Sequence, residues 1–150
     1  MIIKTLTHDH EQDLSTILQL WNANAIEMAS EALTHQDIQA IQTQLLTLMK
    51  SPYANVIVAK KNNVVIGYAT MTIHHDLAED FYYGLVNELF VIATNRRSGV
   101  ASHLITASKE WFVTKNIEAV QIYVALDNPK AVEAFKANGF TPEFTLLMND

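Results

Sequence analysis

The stretch Leu89-Phe90-Val91-Ile92-Ala93-Thr94-Asn95-Arg96-Arg97-Ser98-Gly99-Val100-Ala101 closes an apolar run, turns, and starts again at small residues. Read as strand, turn and helix, it puts the first N–H groups of a helix near Gly99 to Ser102. Those groups have no internal partner and carry partial positive charge. A phosphate set there is held by backbone donors. Gly99 and Ala101 lack the bulk that would keep an anion away from the backbone, and Arg96 and Arg97 add charge. The same residues also suit an ordinary strand-to-helix turn capped by Ser98, and spacing alone leaves both readings open. Just upstream, Glu88 falls on the expected strand face of Val86, Phe90 and Ile92, with Asn87 on the opposite face. A carboxylate among apolar neighbours holds its proton to higher pH than usual, which suits a general base. The structural alternative is an ion pair with a basic neighbour.

Other chemistries find no footing. Gly-x-x-x-x-Gly-Lys-Ser/Thr and Gly-x-Gly-x-x-Gly are both absent, so neither a Walker loop nor a dinucleotide fingerprint is present. There is no Gly-x-Ser-x-Gly elbow. The chain has no cysteine, which excludes disulfides, thiolate nucleophiles and Cys-zinc sites. His8-x-His10 and His74-His75 lack a third ligand at zinc spacing, so no metal is expected. His74 and His75 point to opposite faces if extended; one of them can line an acceptor cleft, and a surface role suits each.

The elements that must position these residues are legible in the hydrophobic periods. Residues 2–6 are β-branched and read as a strand. Residues 11–29 carry Leu14, Ile17, Leu18, Trp21, Ala25 and Met28 at helical spacing. Thr34-His35-Gln36-Asp37 resembles a capping box and predicts a second helix with Ile38, Ile41, Leu45 and Leu48 inward, ending near Ser51-Pro52. Ala54–Lys60 and Val64–Ile73, joined by Asn62-Asn63, form a hairpin signal. His74–Gly84 reads as an acidic, aromatic loop with Asp76, Glu79 and Asp80. Leu85–Ile92 is a strand and Gly99 opens a helix. A strand over 118–126, a helix over 129–138 and a last strand over 143–148 complete the order. Hairpin strands come first and crossovers later, which predicts a mixed α/β fold: a central mixed sheet with helices on both faces.

Composition sets the frame. The 150 residues fit one domain, 1–150, and a hydrophobic fraction of 49% is too rich for a disordered chain. Sixteen acidic against ten basic residues give a net charge of −6, which disfavours nucleic acid and favours a cationic small-molecule partner. The start Met1-Ile2-Ile3-Lys4-Thr5 shows no signal peptide, and no apolar run approaches the ~20 residues of a membrane helix. A soluble cytoplasmic protein without a membrane partner is expected.

Arg96-x-x-Gly99-x-Ala101 after an apolar strand resembles the Arg/Gln-x-x-Gly-x-Gly/Ala signature of the GCN5-related N-acetyltransferases. About 30 residues on, Asn128-x-x-Ala131-x-x-x-Phe135-x-x-x-Gly139-Phe140 is similar to that family's second segment, and the element order matches as well. The resemblance implies a single-domain acetyltransferase with acetyl-coenzyme A as co-substrate, direct transfer to a primary amine of a small molecule or peptide, and no metal; a peptide N-terminus, a lysine side chain and an aminoglycoside all fit as acceptor. It implies that the pyrophosphate rests on Arg97, Ser98, Gly99, Val100, Ala101 and Ser102, with Arg96 opening the loop. The pantetheine would pair with the backbone around Leu89, Phe90 and Val91, between strands 85–92 and 118–126. Asn128 would bond that arm or shape its turn, and Lys130 or Lys136 would reach the 3′-phosphate unless both are simply solvated. The family often draws its base from the strand that carries Glu88, and its members are often homodimers. One departure stands out: the family often has a tyrosine, the thiolate's proton donor, where this chain has Phe135. Tyr82, Tyr83, Tyr123 or water would have to replace it. A non-catalytic acyl-coenzyme A binding module on the same fold is the alternative that Phe135 favours, and a longer acyl donor is a third.

Overall fold

The computed structural model describes residues 1–150. The order is β1 (Ile2–Thr5), α1 (Glu11–Ala29), α2 (His35–Lys50), β2 (Ala54–Lys61), β3 (Val64–Asp76), β4 (Phe81–Val91), a short 3-10 turn (Ala93–Asn95), α3 (Val100–Thr114), β5 (Val120–Ile122) and α4 (Pro129–Ala137). The five strands make one sheet in sequence order, antiparallel except for the parallel β4–β5 pair. This is the mixed α/β architecture that the periods imply.

Local chemistry explains the connections. Thr34 and Asp37 cap α2 reciprocally: the Asp37 N–H donates to Thr34 Oγ1 and the Thr34 N–H to Asp37 Oδ2. Asn62 (φ +51°) and Asn63 (φ +61°) both take the left-handed conformation that a two-residue hairpin needs. The two faces of the sheet carry two cores. On one, Val100, Leu104 and Phe112 of α3 pack on Ala69, Met71, Val86 and Val91. On the other, Ile17 of α1 and Leu45 of α2 pack on Val58, Tyr68 and Phe90. No helix is long and apolar enough to cross a membrane.

Three expectations are corrected. His74–Gly84 is no loop: β3 runs on to Asp76 and β4 starts at Phe81, leaving only Leu77–Asp80 as a tip. Its aromatics and histidines form cross-strand stacks, His74 on Tyr83 and His75 on Tyr82, with centroids 5.4 and 4.4 Å apart. Asp76 Oδ1 closes the tip by accepting from the N–H groups of Ala78 and Glu79. The strand expected over 118–126 shrinks to Val120–Ile122, because β4 pairs with it only there. Residues 143–148 form no strand, and Phe144, Leu146, Leu147 and Met148 are exposed.

Candidate active site

β4 and β5 pair at Gly84–Val120, Leu85–Gln121 and Val86–Ile122, and no further. β4 continues to Val91 with its β5-side edge unpaired, so the backbone groups of Asn87 to Val91 on that edge have no strand partner. This opening leads directly into the loop of residues 92–99. There Arg97 (φ +65°) and Gly99 (φ +84°) are both left-handed. The first bond of α3 is His103 N–H to Gly99 O, 3.0 Å, which leaves the N–H groups of Val100, Ala101 and Ser102 ahead of the helical ladder. A β-carbon on Gly99 would meet only the His103 ring, 3.6 Å away, but the positive φ disfavours one. His103 Nδ1 lies 2.6 Å from the Gly99 carbonyl and braces the turn. Backbone donors, a small residue and an unpaired strand edge therefore meet in one place, as an anionic, amide-bearing cofactor requires.

Arg96 is engaged by protein groups in this structure. Its guanidinium grips Glu27 of α1 with two bonds, 2.5 and 2.7 Å. Its Nε donates to Val91 O at 2.9 Å, and the group lies 5.3 Å over Phe90. Arg96 thus ties the loop to α1. The hydrogen bond and charge of Arg96 hold the Glu27 carboxyl below its ordinary range. Ser98 bonds back to Asn95 O, and Arg97 stands exposed.

The second segment is held by contacts of its own. Asn128 caps α4, its side chain accepting from the Ala131 N–H at 3.3 Å. Phe135 packs edge-on against Phe140, and Lys109 of α3 donates to Asn138 O beside Gly139. Lys130 is exposed, and Lys136 faces Glu133 at 3.6 Å.

Glu88 stands where the sheet is irregular. Met71 is opposite Val86 and Thr70 opposite Glu88, so Asn87 is an extra residue, a β-bulge. The alternation of β4 flips there. Val86 packs in the α3 core, whereas Phe90 packs in the α1–α2 core beside Tyr68. Glu88 therefore shares a face with Phe90 and Tyr68 but not with Val86, which corrects the simple alternation. Asn87 does not face the opposite side either. Its Nδ2 donates to Thr72 Oγ1 at 2.8 Å, and that oxygen lies 2.7 Å from His74 Nε2. Burial pushes the Glu88 carboxyl above its ordinary pKa. None of the ion pairs in the chain involves Glu88, so the ion-pair alternative is not met.

A cleft of about 680 Å³, lined by Tyr53, Ile73, Phe81, Tyr82 and Ile117 among others, lies at the start of β4 and β5, away from Glu88 and the loop. No group of three His, Asp or Glu side chains is placed to hold a metal ion. Sequence reading missed Glu27, Thr72, Tyr68 and Trp21 as neighbours of the site. Only Tyr68 carried a signal, an aromatic inside a β-branched strand.

No curated protein matches this chain in sequence. Among solved structures, the aminoglycoside 6′-N-acetyltransferase AAC(6′)-Ig from Acinetobacter haemolyticus superposes with a TM-score of 0.80 at 21% identity, covering 100% of this chain and 97% of that one. AAC(6′)-Iy in complex with a bisubstrate analogue, CoA-S-monomethyl-acetylneamine, gives 0.80 at 18% identity, with 99% and 96% covered. A transcriptional regulator from Bacillus halodurans gives 0.83 at 16% identity, with 99% and 98% covered. At these identities the likeness shows the fold. Residues 14–140 match the model of the acetyltransferase (GNAT) family, the signature loop and the α4 segment included, and the chain belongs to that family of N-acetyltransferases.

Proposed function

We propose that the protein moves an acetyl group directly from acetyl-coenzyme A to a primary amine of a small cationic molecule. The observation that carries this reading is the parting of β4 from β5 after Val86, which opens a strand edge into the left-handed Gly99 turn. In this reading the amides of Arg97 to Ser102 hold the pyrophosphate, and the backbone of Leu89 to Val91 pairs with the pantetheine amides. The bound thioester supplies the acyl group.

An alkylamine of pKa about 10.4 is almost wholly protonated at neutral pH, and its deprotonation there costs about 4.6 kcal/mol. Glu88 takes that proton, directly or through water. The freed nitrogen attacks the thioester carbonyl; the C–N bond forms and the C–S bond breaks. A backbone N–H on the open edge of β4 stabilises the oxyanion. Phe135 has no proton to give. A thiol of pKa about 8.5 is mostly protonated at pH 7, so water serves the leaving sulfur without an enzyme acid. Of the tyrosines, Tyr123 is exposed beyond β5, and Tyr82 and Tyr83 are stacked on histidines.

The acceptor class rests on charge. Asp76, Glu79 and Asp80 gather at the β3–β4 tip in a chain of net charge −6. One structural neighbour, an aminoglycoside acetyltransferase from a soil metagenomic sample, is crystallised in complex with sisomicin, which supports the same class here. Acetyl-coenzyme A is incubated with a panel of aminoglycosides, polyamines and peptide amines, and free thiol is read out. Thiol release with a small polycation is expected. Calorimetric binding of acetyl-coenzyme A without turnover of any amine would instead establish the binding module that Phe135 favours.

A further inference from the structure

One buried side-chain polar atom has no hydrogen-bond partner, the hydroxyl of Tyr68. The side chain is wholly buried. Its ring stacks on Trp21 of α1, centroids 5.3 Å apart and planes 14° apart, and tilts against Phe90 at 6.2 Å. Native folds rarely strand a buried hydroxyl, so an orphan beside a functional group points to a partner.

The bulge at Asn87 brings a carboxylate to the same face. Tyr68 is opposite Phe90, and Thr70 is opposite Glu88. Glu88 is thus the diagonal neighbour of Tyr68 on one face, a separation that long side chains bridge. Without the extra residue, the register that sets Met71 opposite Val86 would set Ala69 opposite Glu88. Ala69 belongs to the α3 core, so the carboxylate would turn to the other side of the sheet. The sheet is broken at the one position that brings carboxylate and phenol together. Burial, and then the charge of Glu88, push the phenol above its ordinary range, so it stays a proton donor.

We propose that Tyr68 is a positioning residue for Glu88: its hydroxyl donates through one bridging water to the ionised carboxylate and fixes the aim of the base. This rests on the reading of Glu88 as the base. Few other charged groups face the pair. From β3 there is His74, held by Thr72; from α1 and the loop there is Glu27 locked to Arg96 over Phe90. Asp13 of α1 is engaged by Lys60 and Lys4 towards β1. α2 presents Ile41, Leu45 and Leu48 to this core. None of these bonds to the Tyr68 hydroxyl.

A donor to the ionised form favours that form, so Tyr68 holds the acidic limb of activity lower than burial of Glu88 alone would. Tyr68→Phe keeps the ring on Trp21 and removes only the donor. The acidic limb of kcat/KM is expected to move up by about one pH unit, with near-ultraviolet circular dichroism unchanged. In the Glu88→Gln background the same change should add no further loss. As a second measurement, the ring NMR signals of Tyr68 in the wild type should titrate with the same midpoint as activity, and stay flat in Glu88→Gln. A slow Glu88→Gln enzyme combined with an unmoved limb in Tyr68→Phe, or with a silent Tyr68 ring, overturns this proposal alone. Wild-type turnover in Glu88→Gln overturns the base itself.

Discussion

Glu88→Gln should make the enzyme slower and the fold no weaker, and both signs follow from the same burial. The substitution keeps the shape and removes the proton acceptor. Only about 1 amine in 2,500 is free at pH 7 when its pKa is 10.4, so assisted deprotonation is worth at most that factor. Positioned bases commonly deliver 10²- to 10⁴-fold. The expected loss in kcat/KM at pH 7 is therefore roughly 10²- to 10³-fold, falling to at most about 25-fold at pH 9, where 1.4 units remain. Stability moves the other way. Burial lifts the folded-state pKa of Glu88 above its ordinary 4.5, so the folded chain holds this proton to higher pH than the unfolded chain does. The contribution of Glu88 to stability is greatest below the ordinary value and is lost as pH rises through the raised one. The melting temperature of Glu88→Gln should accordingly gain on the wild type between pH 4 and pH 8. Acetyl-coenzyme A affinity should barely change, because in the proposed reading backbone groups elsewhere hold it. Stopped-time thiol assays from pH 6 to 9, with thermal melts at the same pH values, test all three. A mutant with wild-type kcat/KM at pH 7, or a deficit that does not shrink with pH, would refute the reasoning.

Two further outcomes concern the loop of residues 96–102 as the proposed cofactor site. Gly99→Glu puts a carboxylate into the cradle and forces a side chain onto φ +84°; calorimetry should show acetyl-coenzyme A binding lost while far-ultraviolet circular dichroism stays native, and unchanged affinity would remove the loop from the site. Glu27→Gln frees Arg96 from α1. With side chains 45% and 39% exposed the pair is screened and contributes about 1 kcal/mol or less, so the dissociation constant for acetyl-coenzyme A should rise no more than about fivefold. Because Arg96 holds the Glu27 pKa down, the pair persists above the ordinary carboxylate range and is lost only as pH falls through the lowered value. The affinity difference should therefore be flat from pH 6 to 8, and a slope there would contradict the pairing.

Periods and caps were enough for the helices and for the β2–β3 hairpin, because each is fixed by contacts close in sequence, such as the Thr34–Asp37 box and the Asn62-Asn63 turn. The loop over His74–Gly84 was misread because composition argued against a strand, whereas cross-strand stacking of His74 and His75 on Tyr83 and Tyr82 decides the conformation. Such pairs are not visible until the register is known. The short β5 was misread for the opposite reason. Residues 123–126 have strand composition in part, but β4 has parted from them. The turn into α3 around Gly99 was legible from a local pattern. The role of Arg96 was not, because its partner Glu27 is 69 positions away in sequence.

The face of Glu88 shows how one residue decides what a strand can do. Counting by twos from Val86 puts Glu88 in the α3 core, where Leu104 and Phe112 would leave its carboxylate no outlet. The extra residue at Asn87 turns Glu88 to the Tyr68 face and lays the Asn87 amide on Thr72 in the same step. It also falls directly after the last β4–β5 pair, Val86–Ile122. A bulge bends its strand and sharpens the local twist, so the same irregularity that re-aims the carboxylate also helps carry β4 away from β5. In the proposed reading, base placement and cofactor opening are then two consequences of one backbone insertion. Deleting Asn87 to restore regular pairing should impair both together, a coupling that no point substitution of Glu88 or Gly99 would reproduce.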